Sequence, residues 1–234
     1  MLILSIDSSG HTASVAVVTE DRLVAEFSMN CGYTHSQTLM PMVEAVLSMA
    51  ELDKGEIDYI ACVSGPGSFT GLRIGAACAK GMAAGLGIKM VNVSALDALA
   101  YNVFKNEGYV VPVMDARRGQ VYSALYKWGF AGGEPELMRL SSYMAESIEH
   151  VAALGAELGG SVTFLGDGVL PHKEYLSGCG FNFAPQNNAL QRAASAGALA
   201  IKKAAAGQVS TPGDFKLFYL RKPQAEREAE ARGD

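Results

Sequence analysis

Two aspartates stand where chemistry is easiest to place. Asp7 closes the apolar run Leu2-Ile3-Leu4-Ser5-Ile6, and Asp115 closes Val110-Val111-Pro112-Val113-Met114. A carboxylate at a strand end can hold a hydrated Mg²⁺ ion or cap its own turn, and the second use is the commoner. The richest local pattern is Ser64-Gly65-Pro66-Gly67-Ser68-Phe69-Thr70-Gly71-Leu72-Arg73-Ile74-Gly75. It spells a strand end, a Gly-Pro-Gly turn and a helix start. Glycine lets backbones approach closely, Ser68 or Thr70 can cap the helix, and helix N-terminal N–H groups attract anions. One reading is a phosphate or carboxylate cradle formed by Gly67, Ser68 and Thr70, with Asp7 and Ser9 opposite. The other is a tight turn built for packing. No Lys-Ser/Thr pair makes it a P-loop, and the chemistry alone favours packing.

Other catalytic patterns are missing. The histidines are His11, His35, His150 and His172; no two share a helical turn, so the sequence has no H-x-x-x-H or H-E-x-x-H metal site. No G-x-S-x-G elbow and no Cys–His signature occur. Cys31, Cys62, Cys78 and Cys179 form no C-x-x-C pair, which fits reduced thiols and a cytoplasmic location. Asp7 interrupts the apolar start after a few positions, so neither a signal peptide nor a membrane span is expected. Nineteen Lys and Arg against 24 Asp and Glu leave a net charge of −5, which argues against a direct nucleic-acid groove. Charged residues make up only 18%, fewer than the typical ~25%. That shortage fits a surface partly covered by another protein. The turn Asp115-Ala116-Arg117-Arg118 is either a solvated hairpin end or a contact to a partner or phosphate.

The elements that must position these residues read as α/β. Strand patterns at 2–6, 13–18 and 22–29 form a meander, followed by a helix over 36–52, a strand over 57–64, a helix over 70–86, a strand over 89–93 and a helix over 95–105. The second half predicts strands at 110–114, 120–128 and 136–140, a helix over 142–154, a strand at 162–165 and an Ala-rich helix over 189–206. The unit βββαβα is thus written twice, with Asp after its first strand and Gly-x-Gly after its fourth. This divides the chain into an N-terminal subdomain, 1–106, and a C-terminal one, 107–221. The 189–206 helix is free to pack back on the first half, and 222–234 reads as a mobile tail. On the 36–52 helix, Leu39, Val43, Val46 and Ala50 form one stripe flanked by Met42 and Met49, an apolar arc wider than core packing requires. On the 70–86 helix, Gly71, Gly75, Ala79 and Ala83 recur every fourth position. Each reads either as a core face or as a subunit interface, with Arg73 beside the second.

These residues together resemble a known family. Ile6-Asp7-Ser8-Ser9, His35-Ser36 with Leu39 and Pro41, the glycine block, Asp115-Ala116-Arg117, Gly166-Asp167-Gly168 and the closing Tyr219-Leu220-Arg221 are similar to the TsaB (YeaZ) family. The likeness is strong over 1–125 and weak over 130–210. It implies a duplicated actin-like ATPase (ribonuclease H-like) fold, shared with hexokinase and Hsp70, and a past grouping with glycoprotease-like proteins. It also implies a non-catalytic relative of TsaD, the subunit that transfers a threonylcarbamoyl group to N6 of the adenosine beside the tRNA anticodon. TsaD holds a metal on an H-x-x-x-H helix; Ala95 and Leu99 stand at the corresponding positions here. The implied partners are a TsaD-type catalytic subunit and a TsaE-type ATPase, or a homodimer without them, with tRNA met only indirectly. The two helices above would supply the contact. No cofactor is expected, although ATP in the cleft is conceivable on this fold. The alternative is an ATP-binding kinase or peptidase-like hydrolase of the same fold.

Overall fold

The computed structural model describes residues 1–221; the expected tail lies outside the described residues. Strands β1 (Leu2–Asp7), β2 (Ala13–Thr19) and β3 (Leu23–Met29) form an antiparallel meander. Helix α1 (His35–Met49) follows, then β4 (Tyr59–Gly65), helix α2 (Phe69–Leu86), β5 (Lys89–Ser94) and helix α3 (Ala95–Tyr101). β4 and β5 add in parallel, so the first sheet runs β3-β2-β1-β4-β5.

The second half contains β6 (Tyr109–Asp115), β7 (Gln120–Ser123), β8 (Tyr126–Ala131), β9 (Glu134–Arg139) and β10 (Met144–Ser147). After these come α4 (Ile148–Glu157), β11 (Val162–Leu165), α5 (Val169–Gly178), β12 (Asn182–Phe183) and α6 (Ala193–Ala205). Its sheet runs β10-β7-β6-β11-β12, the same order again, with the β8–β9 hairpin inserted. This is the βββαβα unit written twice, as the sequence predicts.

Three features of the second half differ from the sequence expectation. The expected strand over 120–128 is two strands, because the chain turns at Ala124-Leu125, where Leu125 N–H donates to Ser141 Oγ and Leu140 N–H to the Leu125 carbonyl. The expected helix over 142–154 begins at Ile148; Met144–Ser147 is the third strand of the repeat, and Ser147 caps the helix by accepting from His150 N–H. Helix α5 and the two-residue β12 carry too little apolar periodicity to be anticipated; Leu176 is α5's one buried side chain.

Alternation along the strands builds the layers. In β1, Leu4 and Ile6 face α1 and α2, while Ile3 faces α3 and α6. In β2, Val15 and Val17 take the first side and Ala16 and Val18 the second. The second cluster continues into Val110, Met114, Tyr126 and Leu165, so α3 and α6 lie between the two sheets and share one core with both. Gly197 of α6 allows this closeness: a Cβ there would press on Val18 and Ser5. The far face of the second sheet is covered by α4 and α5 through Val113, Val151, Phe164 and Leu176. The layers are therefore α1/α2, sheet, α3/α6, sheet, α4/α5. After α6 the chain returns to the first lobe: Ser210 and Met90 exchange backbone hydrogen bonds, Phe215 is buried there, and Phe218 N–H donates to the Ser64 carbonyl at 2.8 Å.

Candidate functional site

The duplicated topology brings corresponding turns face to face. The β1–β2 turn, the β6–β7 turn, the glycine loops after β4 and β11, and the start of α1 surround a cleft of about 470 Å³. Its lining includes His11, His35, Ser68, Asp115, Arg117 and Asp167.

Asp7 is fully buried at the end of β1. Its Oδ1 accepts from Ser9 N–H at 2.9 Å and from Ser9 Oγ at 2.6 Å, while Oδ2 has no partner. Burial pushes its pKa above the ordinary value, against the two Ser9 hydrogen bonds that favour the charged form. Asp115 repeats the device in the second lobe, its Oδ1 accepting from Arg117 N–H at 2.7 Å. Each is thus an aspartate capping its own turn. Asp167, carried by the loop after β11, stands between the two turns and accepts from Asp115 N–H at 3.2 Å. Burial raises its pKa as well, opposed by that hydrogen bond and by the facing His11. His35 Nε2 meets the Gly10 carbonyl at 2.9 Å, and its Nδ1 is buried without a partner. Arg117 and Arg118 both have positive φ, 64° and 57°, in a turn that the hairpin closes with Ala116 N–H to Gln120 O. Non-glycine residues in this region each cost on the order of 1 kcal/mol.

The glycine block is a packing device, and each of its glycines has a named neighbour. A Cβ at Gly67 would collide with the Ser9 carbonyl, at Gly71 with the Ser8 carbonyl, at Gly75 with Ser8 Oγ, and at Gly65 with the Phe218 carbonyl. Ser68 N–H donates to the Ser9 carbonyl at 2.7 Å, and Ser68 Oγ caps α2 by accepting from Gly71 N–H at 3.2 Å. Thr70 is exposed on the cleft wall. Of the candidate anion contacts, Asp7, Ser9, Gly67 and Ser68 therefore converge, with Ser9 bonded to Asp7 and to Ser68 N–H, and Ser68 Oγ spent on the α2 cap.

The expected contact stripes need a correction. Leu39, Met42, Val43 and Val46 of α1 are buried against the chain's own first sheet, and so are Gly71, Gly75, Ala79 and Ala83 of α2. Burying an aliphatic side chain of this size is worth about 1.5–3 kcal/mol, so the helices turn their most apolar sides to the sheet. Of the named positions only Met49, 86% exposed, and Arg73 face outward. What α1 and α2 offer the outside is their opposite side: Pro41, Glu44, Ser48 and Met49, then Ala77, Gly81, Ala84 and Gly85.

Sequence reasoning passed over Asp167 as a site, although its place between two glycines at a strand end was the available signal. It also passed over Asp97 of α3. This carboxylate accepts from Tyr126 Oη at 2.7 Å and from Tyr143 Oη at 2.9 and 3.0 Å, tying the shared helix to the second lobe. No local pattern links residues so far apart in sequence. Ala95 and Leu99 lie buried in the same helix. Among the described residues, no three His, Cys, Asp or Glu side chains gather as a metal-ligand set, and no helix is long and apolar enough to cross a membrane.

Comparison with known proteins adds the following. Residues 30–221 match the family model described as TsaD: tRNA N6-adenosine threonylcarbamoyltransferase. The chain is similar to the tRNA threonylcarbamoyladenosine biosynthesis protein TsaB of Bacillus subtilis, with 35% identity over 176 residues, 75% of each chain. It is 37% identical over 129 residues to the protein of the same name from Escherichia coli, covering 54% of this chain and 55% of that one. Among solved structures it is similar to YeaZ from Pseudomonas aeruginosa, with a TM-score of 0.74 and 28% identity over 94% of this chain and 99% of that chain.

Proposed function

The chain belongs to the TsaB family of tRNA threonylcarbamoyladenosine biosynthesis proteins, and from that premise we propose that it is a non-catalytic partner subunit. It binds a TsaD-type catalytic subunit through the outer side of α1 and α2 and supports transfer of the threonylcarbamoyl group to tRNA. A TsaE-type ATPase docks on the pair.

One observation carries this reading. Glycine inside a helix costs about 1 kcal/mol relative to alanine. For Gly71 and Gly75 the chain itself supplies the reason, since Ser8 leaves no room for a Cβ. For Gly81 and Gly85 it supplies none: a Cβ at either would have no heavy atom within 4 Å. With Ala77 and Ala84 they give α2 a low outer surface beyond the exposed Arg73, and Met49 of α1 is exposed. Small residues let another helix approach closely, and methionine adapts to a partner's shape. In the partner's absence the same surface fits a second copy of this chain. Positions 95 and 99, held by alanine and leucine, offer no ligand for a metal that would polarise an acyl carbonyl.

The test is reconstitution. A TsaD-type subunit, a TsaE-type ATPase, threonylcarbamoyl-AMP and tRNA are combined with and without this chain. Modified adenosine forms at a useful rate only when the chain is present, and the chain alone forms none. Turnover by the chain alone, or full turnover in its absence, contradicts the proposal.

A further inference from the structure

The fold family implies a nucleotide in the cleft, its phosphates against the first hairpin turn, and the residues present do not fit one. That turn is already engaged on three sides. Ser9 N–H and Oγ both go to Asp7. The glycine loop lies directly on it through Ser68 N–H to the Ser9 carbonyl, and Gln191 lies against Gly10 so closely that a Cβ there would strike its amide. In the second turn Arg117 N–H goes to Asp115, and Arg221 Nη1 donates to the Ala116 carbonyl at 3.1 Å. Arg117 also pairs with Asp115 at 3.7 Å, while its side chain stays 77% exposed.

One side chain reaches into the cleft from between the turns. The loop Gly166-Asp167-Gly168 is pressed on β6: a Cβ at Gly166 would collide with the Val113 carbonyl, and Gly168 N–H donates to that carbonyl at 3.1 Å. Gly166 N–H donates to the Ala189 carbonyl at 2.7 Å, which fixes the loop from the other end. Asp167 is thereby delivered to the backbone N–H of Asp115 in the second lobe, and it faces the backbone N–H and imidazole of His11 in the first. Asp7, fully buried with an unpartnered oxygen, lies within electrostatic reach of Asp167.

We propose that Asp167 is the cleft's own anion: its carboxylate fills the place between the two hairpin turns that a phosphate would need, and bridges the lobes from inside. The fold keeps the donors of a phosphate site and satisfies them with its own side chain, so the cleft refuses nucleotides and holds its two walls together. This goes beyond the partner reading and uses a different surface, so either can fail without the other.

The experiment titrates the full chain with inorganic phosphate and with ADP, following heat and backbone amide resonances. Wild type shows no saturable binding of either. Asp167→Ser, which empties the position, binds phosphate at least about tenfold more tightly than wild type, and the His11 and Asp115 amides shift together. Asp167→Asn, which keeps an acceptor in place, behaves as wild type. Saturable binding by wild type with those two amides moving overturns the proposal, as does a folded Asp167→Ser that gains nothing. Should Asp167→Ser not fold, acid titration of wild type decides: the two amides, one from each lobe, must follow a single carboxylate's protonation curve. Independent curves, or no movement at either amide, overturn the proposal.

Discussion

Gly75 and Gly81 sit six residues apart on one helix and have opposite physical meanings. At Gly75 an added methyl meets Ser8 Oγ, whereas at Gly81 it meets nothing. Gly75→Ala is therefore expected to lose about 2 kcal/mol by overpacking, and Gly81→Ala to gain up to about 1 kcal/mol by helix propensity. Urea denaturation of the two variants checks both signs at once. Asp7 makes a second prediction. Its folded pKa lies above the ordinary 3.8 because burial disfavours the charged form. A raised folded pKa means that the native state binds the proton more tightly than the unfolded chain does. The stability it contributes is full below 3.8 and is lost as pH rises through the folded value. Asp7→Asn keeps an acceptor for Ser9 without the charge. It is expected to melt higher than wild type near neutral pH and to flatten the acid end of the stability profile. Calorimetric melting across pH measures this, and a lower melting temperature at neutral pH contradicts it.

Which elements could be read from the sequence follows from how their burial is patterned. In the first lobe, runs such as Ala13–Val18 are buried on both faces, and turn residues separate them, so strands and helices fall within a few residues of expectation. The glycine block was legible as a tight turn before a helix, with packing favoured over an anion cradle because no Lys-Ser/Thr pair follows it. The second lobe hides its third strand: Met144–Ser147 is short and half-buried, and only pairing with β7 makes it a strand. Helix α5 is nearly uniform in polarity, so no periodicity marks it. The helix stripes were legible as apolar arcs but not in direction, since the same arc fits a core or a partner until the sheet is placed. Asp97 belongs to this scale too, because its bonds to Tyr126 and Tyr143 join α3 to the second lobe. Burial, with the Asp97 charge beside it, pushes the Tyr143 pKa to about 12. Tyrosine's ordinary value is 10, so the stability tied to its neutral form persists below that and is lost as pH rises through about 12. Asp97→Ala is expected to cost about 3 kcal/mol, since it strands two hydroxyls that donate to a charged acceptor. In a folded Asp97→Asn, alkaline absorbance titration should find Tyr143 ionising at lower pH. An unmoved titration contradicts the assigned contact.

At the scale of the molecule, two lobes with matching sheets share the α3/α6 layer, the C-terminal segment runs back over α2, and Asp167 joins the turns across the cleft. These bonds all bring the lobes together. The outer side of α1 and α2 stands apart from them. It is poor in charge, carries two glycines the chain does not need, and leaves Met49 bare. The most direct measurement is the mass of the complex formed with a TsaD-type subunit, by sedimentation or native mass spectrometry. Wild type and Asp7→Asn should form it equally. Gly81→Arg, which adds bulk and charge where the chain has open space, should remain folded as a monomer and form none. A Gly81→Arg protein that pairs as well as wild type would contradict the account.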